Sequence, residues 1–161
     1  MNIILDIFNY VFVAIIIGVA STWVVLIRSM LRTFHDAPFL DKFEKKEHEK
    51  PKVSIILPAR NEEKFIGKCL DSLLDQDYDN YEIIAINDSS EDSTAEIIKK
   101  YEKKFSKVIL VDAKSKPEGW VGKNWACMEG YKKSTGNLLL FTDSDTVHAS
   151  SVISLAVSHL L

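Results

Sequence analysis

Apolar and polar positions fall into blocks along this chain, and the first block is a long apolar stretch near the N-terminus. Residues 7–27 carry no charge, and Asn9, Ser21 and Thr22 are their only clearly polar members. An α-helix rises about 1.5 Å per residue, so a stretch of this length can cross a hydrocarbon core about 30 Å thick. We therefore predict one transmembrane helix and assign residues 1–32 to an N-terminal anchor.

A cleaved signal peptide is the alternative, because the small residues at positions 18–20 resemble a cleavage site. No Lys or Arg precedes the apolar stretch, however, and the stretch continues to Ile27. Both features favour an uncleaved, single-pass anchor. Arg28 and Arg32 follow the stretch. Positive residues stay on the cytoplasmic side of a membrane, so the rest of the chain is predicted to face the cytoplasm at the cell membrane.

Beyond the anchor, residues 33–50 are rich in charges of both signs, and we predict a charged juxtamembrane linker there. From Pro51 onward, short apolar runs alternate with stretches of helical periodicity. The predicted strands are 53–57, 82–86, 107–111 and 138–141, and the predicted helices are 61–76, 93–105, 123–135 and one from about 150. Such alternation predicts an α/β fold in which helices flank a parallel sheet of about four strands, so residues 51–161 form one domain.

Three local signals refine this prediction. Ser93 and Glu96 have the spacing of a capping box at the start of a helix. Gly136 is a plausible residue to end the third helix of the domain. The strand 138–141 is apolar at every position, which is typical of a strand buried on both faces of a parallel sheet.

Polar side chains follow the predicted strands at the point where each strand ends. Asp143 and Asp145 follow the fourth strand, and Asp88 follows the second. In open α/β sheets, ligands bind at the carboxyl ends of the strands, so these carboxylates are expected at one binding edge. Two aspartates this close can bind one hard cation. They can equally form a polar turn that caps the next helix.

Composition narrows the range of functions. The formal net charge of −3 across 161 residues gives no basic surface for a nucleic-acid partner. The chain contains no G-x-G-x-x-G, no P-loop and no G-x-S-x-G sequence, which argues against a dinucleotide-binding domain, a P-loop NTPase and an α/β-hydrolase. The two cysteines, Cys69 and Cys127, lie in helical apolar patterns and are predicted to be free thiols.

Three segments in this order resemble the nucleotide-sugar-binding half of family 2 glycosyltransferases with the GT-A fold. They are VSIILPARNEE at 53–63, IIAINDSSEDST at 83–94 and LLLFTDSDT at 138–146, and the resemblance covers residues 52–161. A further segment, PEGWVGKNWAC at 117–127, is similar to the branch of membrane-anchored enzymes that glycosylate hopanoids and carotenoids.

The resemblance implies roles for individual residues. Asp88 would bind the base or ribose of a nucleotide-diphospho-sugar donor, and Lys123 would lie near its phosphates. Asp143 and Asp145 would form the family's DXD motif and hold Mn²⁺ or Mg²⁺, which neutralises the leaving diphosphate as a Lewis acid. The implied substrate-binding residues are Pro58, Ala59, Arg60, Asn61, Glu62, Asp88, Lys123 and Asp143. A uridine nucleotide is the favoured donor, with a lipid or a glycan as acceptor.

One departure from the family is large. The family's inverting transfer takes its general base from an acceptor-binding half that follows the DXD motif, and no residue here matches that base. We assign no catalytic residue and expect this chain to carry the donor-binding half of a membrane-anchored transferase, with a second chain as one source of the acceptor half. Alternatives are a non-catalytic nucleotide-sugar-binding or scaffold subunit and a nucleotidyltransferase, although residues 58–63 do not resemble the phosphate loop of the latter.

Overall fold

The computed structural model describes residues 3–36 and 50–161, which divide into two compact units on either side of residue 42. The first unit holds helix α1 (Ile3–Asp36). Its segment Asp6–Thr33 contains an 18-residue window with a mean hydropathy of 2.5, and none of that window is buried within the protein. Helix α1 is therefore long and apolar enough to cross a membrane. The helix continues beyond residue 32, where the sequence predicted the linker to begin. Linker residues 37–49 lie outside the described residues.

The second unit is built on a parallel sheet, as the sequence predicted. Its strands are β1 (Val53–Ala59), β2 (Tyr81–Asn87), β3 (Val108–Asp112) and β4 (Leu138–Phe141), in the order β3-β2-β1-β4. All three pairings are parallel. Parallel neighbours require a crossover, and helices α2 (Ile66–Leu74), α3 (Thr94–Lys104) and α4 (Gly122–Tyr131) provide one between successive strands, with α5 (Val152–Leu160) after β4.

Two apolar cores lie on the two faces of this sheet. Alternate residues of a strand point to opposite faces. One face of β1, including Ile55 and Leu57, shares a core with α2, α3 and α5. The other face of β1, at Ile56, packs with Ala126 of α4. At Gly130 of α4 an added Cβ would lie 2.6 Å from the Ile86 side chain, so only a glycine allows this helix to approach the sheet so closely.

The prediction that β4 is buried on both faces is wrong. Leu139 and Phe141 are 40% and 52% exposed, whereas Leu138 and Leu140 of the same strand pack against the α2-side core. The reason is position in the sheet: within the described residues β4 pairs with β1 alone, and α4 packs over β1 and β2. An apolar run by itself does not distinguish an edge strand from a central one.

The predicted capping box and the start of α2 also differ from the structure. Ser93 makes no side-chain cap, and the Thr94 N–H instead donates to Asp92 Oδ1 at 3.0 Å. Helix α2 begins at Ile66 rather than at Asn61, because the polar groups of residues 61–63 bond to the loop after β2. A local hydrogen bond to Asp92 thus replaces the predicted cap, and contacts with a loop remote in sequence delay the start of α2.

Gly136 does not end a helix. Helix α4 stops at Tyr131, and Gly136 lies against β1, where an added Cβ would be 2.6 Å from the Ser54 nitrogen and 2.7 Å from the Lys52 carbonyl oxygen. The glycine is needed because two backbones meet here.

Glu82 lies beside this contact and joins three segments of the chain. Its carboxylate, in a residue only 6% exposed, accepts hydrogen bonds from Lys52 Nζ at 2.7 Å, Ser54 Oγ at 2.6 Å and the Thr135 N–H at 2.8 Å. Burial alone would raise the pKa of Glu82, but these hydrogen bonds outweigh it and lower the pKa to about 2. The charged form of Glu82 therefore stabilises the folded state.

Replacing Glu82 by Gln should lower the free energy of unfolding by on the order of 3 kcal/mol at pH 7, because a buried ion pair loses one partner. Because the folded-state pKa lies below the unfolded one, this contribution is present above about pH 4.5 and is lost as the pH falls toward 2. The difference between Glu82→Gln and the parent should shrink over that range. Urea unfolding of the full chain in mild detergent, followed by fluorescence of Trp120 and Trp125 in a Trp23→Phe background, measures it.

The matched control is Glu91→Gln, which makes the same chemical change at an exposed residue. It should change the free energy of unfolding by less than about 0.5 kcal/mol. A Glu82→Gln effect equal to that of the control, or one that does not vary between pH 7 and pH 3, would contradict the role given to Glu82.

Candidate active site

A cavity of about 320 Å³ lies at the carboxyl ends of the strands, where ligands bind in open α/β sheets. It is formed by the residues that follow β1, β2 and β4 together with the start of α4. Its lining residues are Pro58, Ala59, Arg60, Glu62, Asp88, Gly122, Lys123, Asp143, Ser144 and Asp145. Every site residue predicted from the sequence except Asn61 is in this set, and the structure adds Gly122 and Ser144. The predicted site residues therefore meet at one place.

Asn61 faces the neighbouring loop instead of the cavity. Its backbone has a φ of 56°, in the left-handed region that Asn tolerates better than most residues. Its N–H donates to Ser90 Oγ at 3.2 Å, and its side-chain Oδ1 accepts from the Glu91 N–H at 2.9 Å. Asn61 thus joins the loop after β1 to the loop after β2. Its predicted role as a substrate ligand stays a prediction.

Asp92 and Thr94 continue this contact between the two loops. Thr94 Oγ1 accepts from the Glu62 N–H at 2.8 Å, and Asp92 Oδ2 accepts from the Glu63 N–H at 3.1 Å. Desolvation alone would raise the pKa of Asp92, but hydrogen bonds from Thr94 and the Glu63 amide outweigh it and lower that pKa. Neither Asp92 nor Thr94 was among the site residues predicted from the sequence. The available signal was a short polar residue two positions before a threonine at a helix start.

The start of α4 brings a basic side chain into the cavity. Gly122 lies next to Asp88, where an added Cβ would be 3.4 Å from Asp88 Oδ2. One residue later, Lys123 Nζ lies 2.5 Å from Asp143 Oδ1, and both side chains are largely exposed. The hydrogen bond to Asp143 raises the pKa of Lys123 above its ordinary value. Lys123 is therefore a permanent cation in the cavity.

A buried thiol supports the backbone of the Asp143 turn. Cys69 Sγ, on α2, donates to the Asp143 carbonyl oxygen at 3.6 Å. Burial, with a smaller contribution from the charge of Asp145, raises the pKa of Cys69 to about 11, so the thiol keeps its proton at neutral pH. Both cysteines are free, as predicted, and Cys69 is buried while Cys127 is half-buried.

His148 follows the Asp143 turn but does not line the cavity. Its ring Nε2 hydrogen-bonds with Thr142 Oγ1 at 2.9 Å, and its backbone N–H donates to Ser72 Oγ at 3.1 Å. Burial lowers the pKa of His148, which favours the neutral ring. His148 thus holds the turn after β4 against α2.

The charges of the cavity are unbalanced. Among its lining residues, Glu62, Asp88, Asp143 and Asp145 are acidic, while Arg60 and Lys123 are basic, giving a formal charge of −4 + 2 = −2. The described residues contain no group of three or more His, Cys, Asp or Glu side chains arranged around one metal position. Within them, a cation at the Asp143 turn has two carboxylates available, those of Asp143 and Asp145, and needs further oxygen ligands from substrate or water.

Comparisons with known proteins identify the family of this chain. The chain matches Glycosyl transferase family 2 over residues 54–161. It is 36% identical over 128 residues to 4,4'-diaponeurosporenoate glycosyltransferase of Staphylococcus haemolyticus, covering 78% of this chain and 32% of that protein. It is 34% identical over 105 residues to poly(ribitol-phosphate) beta-glucosyltransferase of Bacillus spizizenii, covering 63% of this chain and 16% of that protein. The chain spans about a third or less of the length of these relatives.

Solved structures show the same fold. TarS 1–349 of S. aureus in complex with UDP superposes with a TM-score of 0.56 at 29% identity, over 68% of this chain and 32% of that one. Mannosyltransferase PcManGT from Pyrobaculum calidifontis, solved with GDP-Man and Mn²⁺, superposes with a TM-score of 0.64 at 22% identity, over 84% of this chain and 39% of that one. The family match, the relatives and the parallel sheet with its cavity lead to one conclusion: the chain belongs to glycosyltransferase family 2 and has the GT-A fold.

Proposed function

We propose that this chain binds the donor of a membrane-anchored glycosyltransferase, which transfers a sugar from a nucleoside-diphosphate sugar to an acceptor by metal-assisted inverting displacement. The observation that carries the proposal is the convergence of the loops after β1, β2 and β4 on one cavity with four carboxylates. Family membership supports transferase activity in general. The nucleotide, the metal and the acceptor are proposed from the cavity and from the relatives.

The nucleoside would lie between the loops after β1 and β2. Asp88 presents a carboxylate that can accept hydrogen bonds from ribose hydroxyls or from a base N–H. Arg60 and Glu62 line the cavity together with Pro58, near the end of β1. A uridine nucleotide is favoured because TarS, one of the matching structures, was solved with UDP and with UDP-GlcNAc.

The charge of the cavity supports a divalent cation. A cavity with a formal charge of −2 repels a diphosphate unless positive charge is added. Asp143 and Asp145 would hold Mn²⁺ or Mg²⁺ together with phosphate oxygens, as magnesium-type sites commonly do. When bound, the cation would neutralise the charge of the departing diphosphate. Asp143 already pairs with a cation, the Lys123 ammonium, so the turn suits a positive ligand.

The acceptor is proposed to be a lipid, with a glycan as the alternative. Helix α1 would hold the domain at the membrane, where a lipid acceptor would be found. One relative is named for diaponeurosporenoate and another for poly(ribitol-phosphate), so both acceptor types occur among similar proteins. We propose that the general base belongs to an acceptor-binding part outside these residues, because none of the cavity's residues matches the family's base.

Nucleotide binding should depend on Asp145 and Asp88 in different ways. Asp145→Ala should remove most of the Mn²⁺ dependence of UDP binding, and Asp88→Ala should weaken UDP binding even without metal. Each lost charge-assisted contact should lower the affinity about tenfold or more. Isothermal titration of the full chain in detergent, with and without Mn²⁺, measures both effects.

Asp79→Ala is the matched control, because Asp79 is exposed and precedes β2 at the opposite edge of the sheet. It should leave UDP affinity unchanged. UDP binding that needs no metal and persists in Asp145→Ala would refute the metal site. No UDP binding under any condition would refute the donor site as a whole.

The orientation of the domain follows from the charges that flank α1. Arg28 and Arg32 follow its apolar stretch, so a tag at the C-terminus should resist protease added to intact cells, and a tag at the N-terminus should be digested. Replacing both arginines by Glu should increase the digested fraction of the C-terminal tag. Complete digestion of the C-terminal tag on the unmodified chain would reverse the assigned topology.

A further inference from the structure

We propose that Lys123 couples metal binding to donor binding by occupying Asp143 until a diphosphate enters the cavity. This inference rests on the proposed function and adds to it a thermodynamic role for one residue. With no donor present, Lys123 competes with a divalent cation for the Asp143 carboxylate. When the donor binds, the Lys123 ammonium moves to the diphosphate, and Asp143 becomes available to the cation.

The contact between the two side chains is the basis for competition. Lys123 Nζ lies 2.5 Å from Asp143 Oδ1, one of the two carboxylate oxygens that a divalent cation at Asp143 could use. Asp143 is the only carboxylate paired with Lys123 in the described part of the chain. A carboxylate that already has an ammonium at this distance attracts a second cation less strongly, because the two positive charges repel each other. A divalent cation that binds Asp143 through Oδ1 must therefore displace Lys123.

Lys123 can move at little cost. The side chains of Lys123 and Asp143 are 60% and 59% exposed, so their ion pair is a weak surface pair. Lysine carries its charge on a flexible four-carbon stem and forms no fixed bidentate geometry. Within the described residues, the Lys123 ammonium group makes no hydrogen bond or ion pair other than the one with Asp143. Competition by such a pair should lower metal affinity by no more than about fivefold.

A diphosphate offers Lys123 a second partner in the same cavity. The residue is the second of α4, and the N-terminus of a ten-residue helix favours negative charge nearby. A diphosphate held between this helix start and the Asp143 turn would lie within reach of the ammonium. The Lys123 ammonium would then no longer pair with Asp143, and the cation would gain phosphate oxygens as ligands. Donor and metal should therefore each raise the affinity of the other, and by the same factor.

Removing the charge of Lys123 should change the affinities for Mn²⁺ and for UDP in opposite directions. Lys123→Met keeps an unbranched side chain and removes the charge. Mn²⁺ alone should bind Lys123→Met about two- to fivefold more tightly than the parent, because Asp143 is free. UDP alone should bind it about tenfold more weakly, because the diphosphate has lost a cation. The factor by which UDP raises Mn²⁺ affinity should be smaller in Lys123→Met than in the parent.

The measurement is Mn²⁺ binding to the full chain in detergent, with free Mn²⁺ quantified by electron paramagnetic resonance with and without UDP. Lys133→Met is the matched control, since it removes one exposed positive charge that does not line the cavity. It should leave three quantities at the parent values: the affinity for Mn²⁺ alone, the affinity for UDP alone and the factor by which UDP raises Mn²⁺ affinity. Asp143→Asn should abolish the difference that Lys123→Met makes to Mn²⁺ affinity. Circular dichroism shows whether each variant is folded.

The possible failures are distinguishable. Mn²⁺ affinity in Lys123→Met that equals or falls below the parent value, with UDP binding weakened, would overturn the coupling and leave Lys123 as a simple phosphate ligand. An increase in Mn²⁺ affinity that Lys133→Met reproduces would also overturn it, because the effect would then reflect overall charge. Absence of Mn²⁺ binding in the parent and in Lys123→Met, with and without UDP, would overturn both the coupling and the proposed metal site.

Discussion

Parallel pairing of β1 with strands on both of its sides is the constraint on which this site depends. The strand pairs with β2 through seven residues and with β4 through four, and each register brings strand ends to the same edge. Backbone hydrogen bonds fix these registers, and a slip of one residue would turn the apolar side chains of β1 away from their cores. Polar residues as far apart in the sequence as Arg60 and Asp145 therefore meet around one cavity.

The loops at that edge adopt backbone conformations that need support. Asn61 and Ser89 both have positive φ values, at 56° and 55°. Such conformations cost free energy in residues other than glycine and persist only where surrounding contacts hold them. Here the support comes from hydrogen bonds between the two loops, centred on Asn61, Asp92 and Thr94. The two loops therefore support each other's conformation at the wall of the cavity.

Charge is arranged differently at the two edges of the sheet. Near the start of β2, the buried carboxylate of Glu82 accepts hydrogen bonds from four donor groups of Lys52, Ser54 and Thr135, and it stabilises the folded domain. At the opposite edge, Asp143 and Lys123 form one exposed pair within a cavity of excess negative charge. The satisfied network suits a structural role, whereas the exposed, exchangeable pair suits binding of charged ligands.

The sequence by itself predicted the type and order of the elements and most of the residues that line the cavity. Its apolar stretch predicted α1, and its alternating strands and helices predicted a parallel sheet, because periodicity and turn residues are local properties. The rule that parallel strands end at one edge then predicted that Asp88, Asp143 and Asp145 lie together, and the family resemblance added Lys123. Only the tertiary structure decided which polar group bonds to which: Asn61 to Glu91, Lys123 to Asp143 and Glu82 to Thr135. These pairs, like the exposed edge position of β4 and the backbone contact at Gly136, depend on distances between segments remote in sequence, which no local pattern encodes.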